Sequence, residues 1–234
     1  MKLKDVYLDL LKKSLSDTLR DSNNEKEYGL IWPKEAETMI GNYRLNNIRF
    51  CIETVIKENI EGDFIETGVW RGGGCIFARG VLLANDITDL KIYVADSFEG
   101  LPPPDITKWP ADVGDMHHTH SDVLAISETT VMDNFKRYNL FDEQVVFLKG
   151  WFENTLPTAP IKKLAVLRLD GDMYGSTMVA LTNLYPKLSK GGFCIIDDYT
   201  LHGARRAMED FRCKEQIGST IIPIDTMSIY WRNE

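Results

Sequence analysis

The chain carries little that would staple it, anchor it or draw it to nucleic acid. Its 234 residues include four cysteines, Cys51, Cys75, Cys194 and Cys213, far apart and with no CxxC pair. That spacing suits neither a zinc cluster nor a disulfide framework and predicts reduced thiols in a reducing cytoplasm. There is no block of lysine and arginine, and the net charge is −8. A nucleic-acid partner would want a basic patch, so none is expected. No apolar stretch reaches the length of a membrane span. Asp5, Asp9, Lys12 and Lys13 interrupt any signal-like apolar region at the start, and acids there argue against a transit peptide. Repeats and low-complexity segments are also missing.

What is present is an ordinary globular composition, 44% apolar. The length fits one α/β domain, which buries roughly 70–75% of its unfolded surface and needs no disulfides. Residues 1–60 read as a helical extension or lid, and residues 61–234 as the core. Leu3, Val6, Tyr7, Leu10, Leu11, Leu15 and Leu19 recur at helical spacing. Residues 21–27 are polar and read as a loop. Residues 39–59 read as one or two helices. From Gly62 short apolar runs alternate with helical stretches, the mark of βαβ units. Strands are expected at 63–67, 91–96, 145–149, 164–170 and 192–198, and helices at 74–84, 131–138, 175–188 and 204–215. Residues 220–224 and 228–232 form a terminal hairpin. A long loop with Pro, Asp and His runs from about 100 to 121.

Three acids close two of the apolar runs: Asp170 ends LAVLRLD, and Asp197 and Asp198 end GFCIIDD. Ligands of parallel α/β sheets bind outside the carboxyl ends of the strands. If these runs are neighbours, the carboxylates converge, and like charges cannot share a small site cheaply. A hard divalent cation with oxygen ligands resolves the conflict.

The first strand runs into a glycine-rich loop, Glu66-Thr67-Gly68-Val69-Trp70-Arg71-Gly72-Gly73-Gly74. Such a turn lets backbone approach a nucleotide-like ligand closely. It is not the dinucleotide fingerprint, because Trp70 occupies the place of the second glycine. Glu66 at the strand end suits a cationic ligand better than a diphosphate. About thirty residues on, the second strand ends at Asp96 and Ser97, and an acid there can accept both hydroxyls of an adenosine ribose. Glu66 and Asp96 together suggest S-adenosylmethionine, a ribose-bearing sulfonium cation. Read singly, Glu66 is a solvated strand-end acid and Asp96 a helix N-cap.

The stretches ETGVWRGG (66–73), DSFEGLP (96–102), FLKGWF (147–152), LRLDGDMY (167–174) and IIDDY (195–199) resemble the macrocin O-methyltransferase family, metal-dependent sugar methyltransferases of antibiotic biosynthesis. The resemblance runs from about residue 30 to the C-terminus. It implies an α/β fold of the class I S-adenosylmethionine methyltransferase type, with strand order 3-2-1-4-5-7-6 and strand 7 antiparallel. It implies Mg²⁺ held by Asp170, Asp197 and Asp198, with Asp170 also the base. Expected cofactor contacts are Glu66, Thr67, Gly68, Arg71 and Gly72, then Asp96 and Ser97, then Gly150, Trp151 and Phe152. The resemblance sets this last turn beside the adenine; as residues alone, Trp151 and Phe152 equally suit a core.

The expected reaction is methyl transfer to a hydroxyl of a sugar or sugar-bearing small molecule. A cation bound to two vicinal oxygens would fix the acceptor and lower its hydroxyl pKa, and Asp170 would take the proton. Asp172 is either an acceptor behind the ligands or, preferred, a cap for the next helix. His117, His118 and His120 have no cysteine partner at zinc spacing; they touch the acceptor or play no part. His202, Tyr28 and Met39 fall where the acceptor or a lid could meet the ligand. The helical extension suggests a homo-oligomer. Two other readings stand beside this one. A Mg²⁺-dependent phosphatase of the haloacid-dehalogenase type also uses a DxD and a later acidic pair, but leaves Glu66 and its loop unexplained. A cofactor-binding oligomeric module without chemistry leaves the acidic trio unexplained.

Overall fold

A computed structural model describes residues 2–234. The elements follow in the order α1 (Leu3–Leu15), α2 (Asn24–Tyr28), α3 (Gly41–Lys57), β1 (Asp63–Thr67), α4 (Gly73–Ala84), β2 (Ile92–Asp96), α5 (Ser121–Leu124), α6 (Glu128–Arg137), β3 (Val145–Lys149), α7 (Phe152–Thr155), β4 (Leu164–Leu169), α8 (Tyr174–Leu184), β5 (Leu188–Ile196), α9 (His202–Lys214), β6 (Ile222–Pro223) and β7 (Ile229–Arg232). Seven strands form one sheet in the order β3-β2-β1-β4-β5-β7-β6. Pairs among β1–β5 are parallel, and β7 runs antiparallel to β5 and β6. The expected topology is the observed one.

Alternation along the strands sorts the core into two layers. Phe64, Val94, Val166 and Ile195 face a cluster that includes Leu8, Leu11, Leu15, Ile48 and Ile52. Ile65, Leu167, Cys194 and Ile196 face Leu181, Leu184, Met208, Phe211 and Trp231. Helices α1 and α3 of the N-terminal extension thus share a core with the sheet, whereas α2 buries no residue.

Among the boundaries that depart from expectation, three have a plain local cause. β5 starts at Leu188, because Gly191 (φ +85°) bends within the strand instead of ending a turn before it. The segment expected as a loop contains α2, whose first turn is capped by the Asn23 side chain accepting from the Lys26 N–H at 2.9 Å. The 175–188 helix stops at Leu184 and tightens into a 3-10 turn at Tyr185–Lys187, where Pro186 cannot donate to the α-helical ladder.

Register decides where the site lies. Thr67 pairs with Leu169, and Leu169 with Ile196. Beyond the last paired residues, the Asp170 N–H donates to the Thr67 carbonyl at 2.9 Å and the Asp197 N–H to the Leu169 carbonyl at 2.9 Å. β1, β4 and β5 therefore end level, and their next side chains share one edge.

Candidate active site

A cavity of about 540 Å³ opens at that edge. Its first half is built from backbone. Gly68 (φ +84°) turns the chain away from β1, and a Cβ there would come within 1.8 Å of the Asp170 carbonyl oxygen. Asp96 accepts the Val69 N–H on Oδ2 and the Phe98 N–H on Oδ1, each at 2.8 Å. Burial pushes its carboxyl up, and those N–H groups pull it back down. Glu66 is buried against Arg168, which ion-pairs with it, and it accepts the Cys75 thiol at 2.9 Å. Burial raises Glu66 to about 7 despite that guanidinium.

The second half is built from charge. Carboxylate oxygens of Asp170, Asp172 and Asp198 lie within 4.8 Å of one another. Asp198 Oδ2 accepts the Asp172 N–H at 3.1 Å, and Asp172 sits at φ +57° to bring its side chain round. Burial raises Asp170, with Asp197 adding to the push. Burial and the neighbouring Asp170 raise Asp172 to about 7. Asp198 is driven well above the carboxylate range by burial, Asp170 and Asp172. Three acids that resist ionising together, each with oxygen to offer, are a donor set that fits a hard divalent cation.

Asp197 is placed differently. Its Oδ1 lies 2.5 Å from Arg168 Nη2 and its Oδ2 2.7 Å from Arg44 Nη1. Burial works against its charge, yet the two guanidinium groups hold it below the usual carboxylate range. Arg168 is fully buried and also pairs with Asp170 at 2.9 Å. Arg44 comes from α3 and donates its Nε to Asp225 at 2.8 Å, tying the N-terminal extension to the turn before β7. Of the expected trio, Asp170 and Asp198 are in the cluster; Asp172 stands there as the third member, and Asp197 anchors arginines behind it.

Other expected residues divide. Glu66, Gly68, Asp96, Ser97, Trp151 and Phe152 line the cavity. Thr67, Arg71, Gly72 and Gly150 do not. Thr67 is buried on the opposite sheet face, Arg71 points at the backbone of residues 33–36, and Gly72 (φ +86°) packs on Val131. Gly150 donates its N–H to the Asp96 carbonyl at 2.9 Å, which aims the turn that follows. His117 and Met39 reach the cavity; His118, His120, His202 and Tyr28 do not, and Tyr28 stacks on Tyr43 at 4.4 Å. Asp172 does not cap α8. That role falls to the buried Asp112, which accepts the N–H groups of Tyr174 (2.6 Å) and Gly175 (2.9 Å) and pins the long loop onto the helix. Arg44, Arg168 and Asp112 went unread in the sequence. Only Arg168 left a signal, a lone charge inside the apolar run LAVLRL.

A family model for macrocin-O-methyltransferase (TylF) matches residues 2–233. The chain belongs to the macrocin O-methyltransferase family. It is 48% identical to demethyldecarbamoylnovobiocin O-methyltransferase of Streptomyces niveus, over 97% of this chain and 93% of that one. It is 45% identical to mycinamicin III 3''-O-methyltransferase of Micromonospora griseorubida, over 97% and 96%. The solved structure of the O-methyltransferase NovP superposes with a TM-score of 0.95 at 48% identity, covering 98% of this chain and 99% of that one. Membership in the macrocin O-methyltransferase family makes this chain an O-methyltransferase enzyme with the class I methyltransferase fold. The phosphatase and the inert-module readings are thereby set aside. Among the described residues, no helix is long and apolar enough to cross a membrane.

Proposed function

We propose that this enzyme transfers a methyl group from S-adenosylmethionine to a sugar hydroxyl of a glycosylated natural product, with a divalent cation, Mg²⁺ in the first instance, at the acid cluster. One observation carries the reading: the acids of the cluster share a cavity with the glycine loop and Asp96. Asp96 has lone pairs left after its two N–H partners, enough for ribose hydroxyls. Glu66 and Ser97 flank it on the same wall. Trp151 and Phe152 supply apolar surface for the adenine. The names of the relatives support a sugar acceptor, since a third, 45% identical over 98% of this chain, is a dimethoxy-rhamnosyl-tetracenomycin-C 4'-O-methyltransferase of Streptomyces olivaceus. The proposal carries with it a cytoplasmic, homo-oligomeric enzyme, the second part of which light scattering checks.

Asp170 and Asp198 would hold the cation. For the third carboxylate the resemblance names Asp197 and the cluster geometry favours Asp172, because Asp197 already serves two guanidinium groups. When bound, the cation supplies charge stabilisation to a developing alkoxide. Asp170 then accepts the hydroxyl proton while the oxygen takes the methyl carbon and the S–CH₃ bond breaks, leaving a neutral thioether. Its place at the cavity edge, on the side where the acceptor would meet the cation, suits it to that transfer. Arg168 keeps the carboxylate aimed. Closure of the cavity walls around the two reactants can supply roughly 7–11 kcal/mol of the barrier at best through alignment.

Calorimetry with S-adenosylhomocysteine and with Mg²⁺, together with turnover on a panel of glycosylated acceptors, tests the parts separately. Methyl transfer that survives EDTA at full rate removes the cation. No heat with S-adenosylhomocysteine removes the cofactor. If D172N weakens Mg²⁺ binding more than D197N does, Asp172 is the third ligand; the reverse order restores Asp197.

A further inference from the structure

The residue that breaks the dinucleotide fingerprint, Trp70, has work that the cofactor reading leaves unexplained. It holds a left-handed backbone at φ +49°, which bulky side chains rarely adopt. Its indole N–H donates to the Val123 carbonyl at 2.9 Å, fastening α5 at the end of the long loop. The next residue, Arg71, turns the other way. Its Nη1 donates to the carbonyls of Lys34 (2.7 Å), Ala36 (2.8 Å) and Pro33 (3.4 Å), fastening the strap between α2 and α3. The guanidinium lies 4.2 Å from the centre of the Trp70 ring, so the two fastenings are stacked on each other. Below them the Gly73 N–H donates to the Glu37 carbonyl at 2.9 Å, and the Asn134 side chain donates to the Arg71 carbonyl at 2.9 Å. Both fastened segments cover the cavity: Leu30, Trp32 and Met39 from the strap, Trp109, His117 and Leu124 from the loop. The covers also meet away from the glycine loop, where Trp32 sets an edge against His120 at 5.3 Å.

We propose that Trp70 and Arg71 are positioning residues: a stacked clasp that hangs both covers of the acceptor pocket on the glycine loop, so that they tighten as one unit when the cofactor binds. The inference rests on the cofactor reading of that loop. It predicts cross-talk that two separate tethers would not show. Loosening either tether loosens both covers, because each holds its segment through the same stacked pair.

The test is hydrogen–deuterium exchange on the full chain, with and without S-adenosylhomocysteine as probe. In the wild type the probe slows exchange over residues 30–40 and 121–125 together. W70F lacks the indole donor and should speed exchange at Glu37 and Thr38, whose N–H groups donate to the Leu15 carbonyl, as well as in 121–125. R71A lacks the guanidinium and should speed exchange in 121–125 as well as at Glu37 and Thr38. Losing one hydrogen bond of ordinary strength corresponds to about a tenfold rate change in each segment. Because tightening and binding are linked, calorimetry should find probe affinity lowered by about tenfold at most in either variant. The clasp is overturned if each variant loosens only its own segment, or neither. A probe affinity that falls well beyond the exchange change, by about a hundredfold or more, makes these residues cofactor contacts instead. Absence of probe binding to the wild type overturns the cofactor reading, while cross-loosening without probe still tests the clasp. W70F alone decides the matter should R71A fail to fold.

Discussion

At the ends of β1 and β2, the Asp96 carboxylate is gripped by two backbone N–H groups at 2.8 Å each. At the ends of β4 and β5, Asp170, Asp172 and Asp198 face one another within 4.8 Å, and the guanidinium groups stand behind them on Asp197. The first half is organised by main chain that the fold must place anyway. The second is organised by charge, and its members are held ionisable only by what surrounds them. A backbone-built half should tolerate side-chain changes with losses confined to its own ligand. A charge-built half should answer to any single removal with loss of stability or chemistry, because the remaining charges are left unbalanced.

The largest effect should come from the acid half. D170N keeps the volume and removes the proton acceptor. Turnover should fall by about a thousandfold or more, the range for a positioned general base, while the affinity for S-adenosylhomocysteine holds. A fall of under tenfold would take Asp170 out of proton transfer and blur the distinction between the halves. R168M comes next. It strands Glu66 and Asp170 beside an apolar side chain and leaves Asp197 with Arg44 alone, and breaking such a buried set by removing one partner costs about 3–5 kcal/mol. Urea unfolding at neutral pH reads it; a loss below about 1 kcal/mol would mean that the arginine does not hold the acid half together.

The backbone half should respond more narrowly. D96N keeps one carbonyl acceptor but gives up the charge-assisted bonds proposed to the ribose. Losing about 1.5–3 kcal/mol there weakens cofactor binding roughly 10- to 150-fold. Stability should fall by no more than about 1–3 kcal/mol, because the Asn amide can serve only one of the two N–H groups that Asp96 holds while the turn at Gly68 stays. If D96N destabilises the protein as much as R168M does, the two halves are not built differently.

The same contrast explains what could be read from the sequence. Strands β1 and β3 were legible to the residue, because short alternating apolar runs between glycine-rich turns leave few other choices. Glu66 and Asp96 were legible because their place follows from strand ends. The charge-built half was legible only in its exposed members. Asp170 and Asp198 close apolar runs, but a partner that decides the role of Asp197 comes from far along the chain: Arg44 is 153 residues away, in the first turn of α3. Asp112 caps a helix 62 residues on, where local pattern pointed to Asp172. Arg71 shared a motif with cofactor contacts and turned out to face the strap, since a motif fixes neighbours in sequence but not the side of the turn. Pairings across the fold carry no periodicity, so they stay silent until the register of the sheet is known.

The comparison sharpens last through pH, where the smallest effect belongs to Asp142. Two carboxylates pair with arginine in opposite surroundings. Glu66, inside the cavity wall, is raised by burial to about 7. Asp142, at the edge between α4 and β3, is lowered chiefly by the hydrogen bond from Arg79, whose Nε lies 3.2 Å away. The signs therefore oppose. A raised acid adds stability fully below its unfolded value, and that share is lost as pH rises toward about 7, because the unfolded state releases its proton first. A lowered acid adds stability above its unfolded value near 3.8, and that share is lost as pH falls through the native value. The gap in unfolding free energy between wild type and E66Q should hence move against wild type between about pH 4.5 and 7. The gap between wild type and D142N should shrink only below about pH 4, and by no more than about 1 kcal/mol, because a partly exposed pair is screened. If both gaps move in the same direction with pH, burial does not separate the cavity wall from the rim of the sheet, and the account of a charge-built half loses its physical basis.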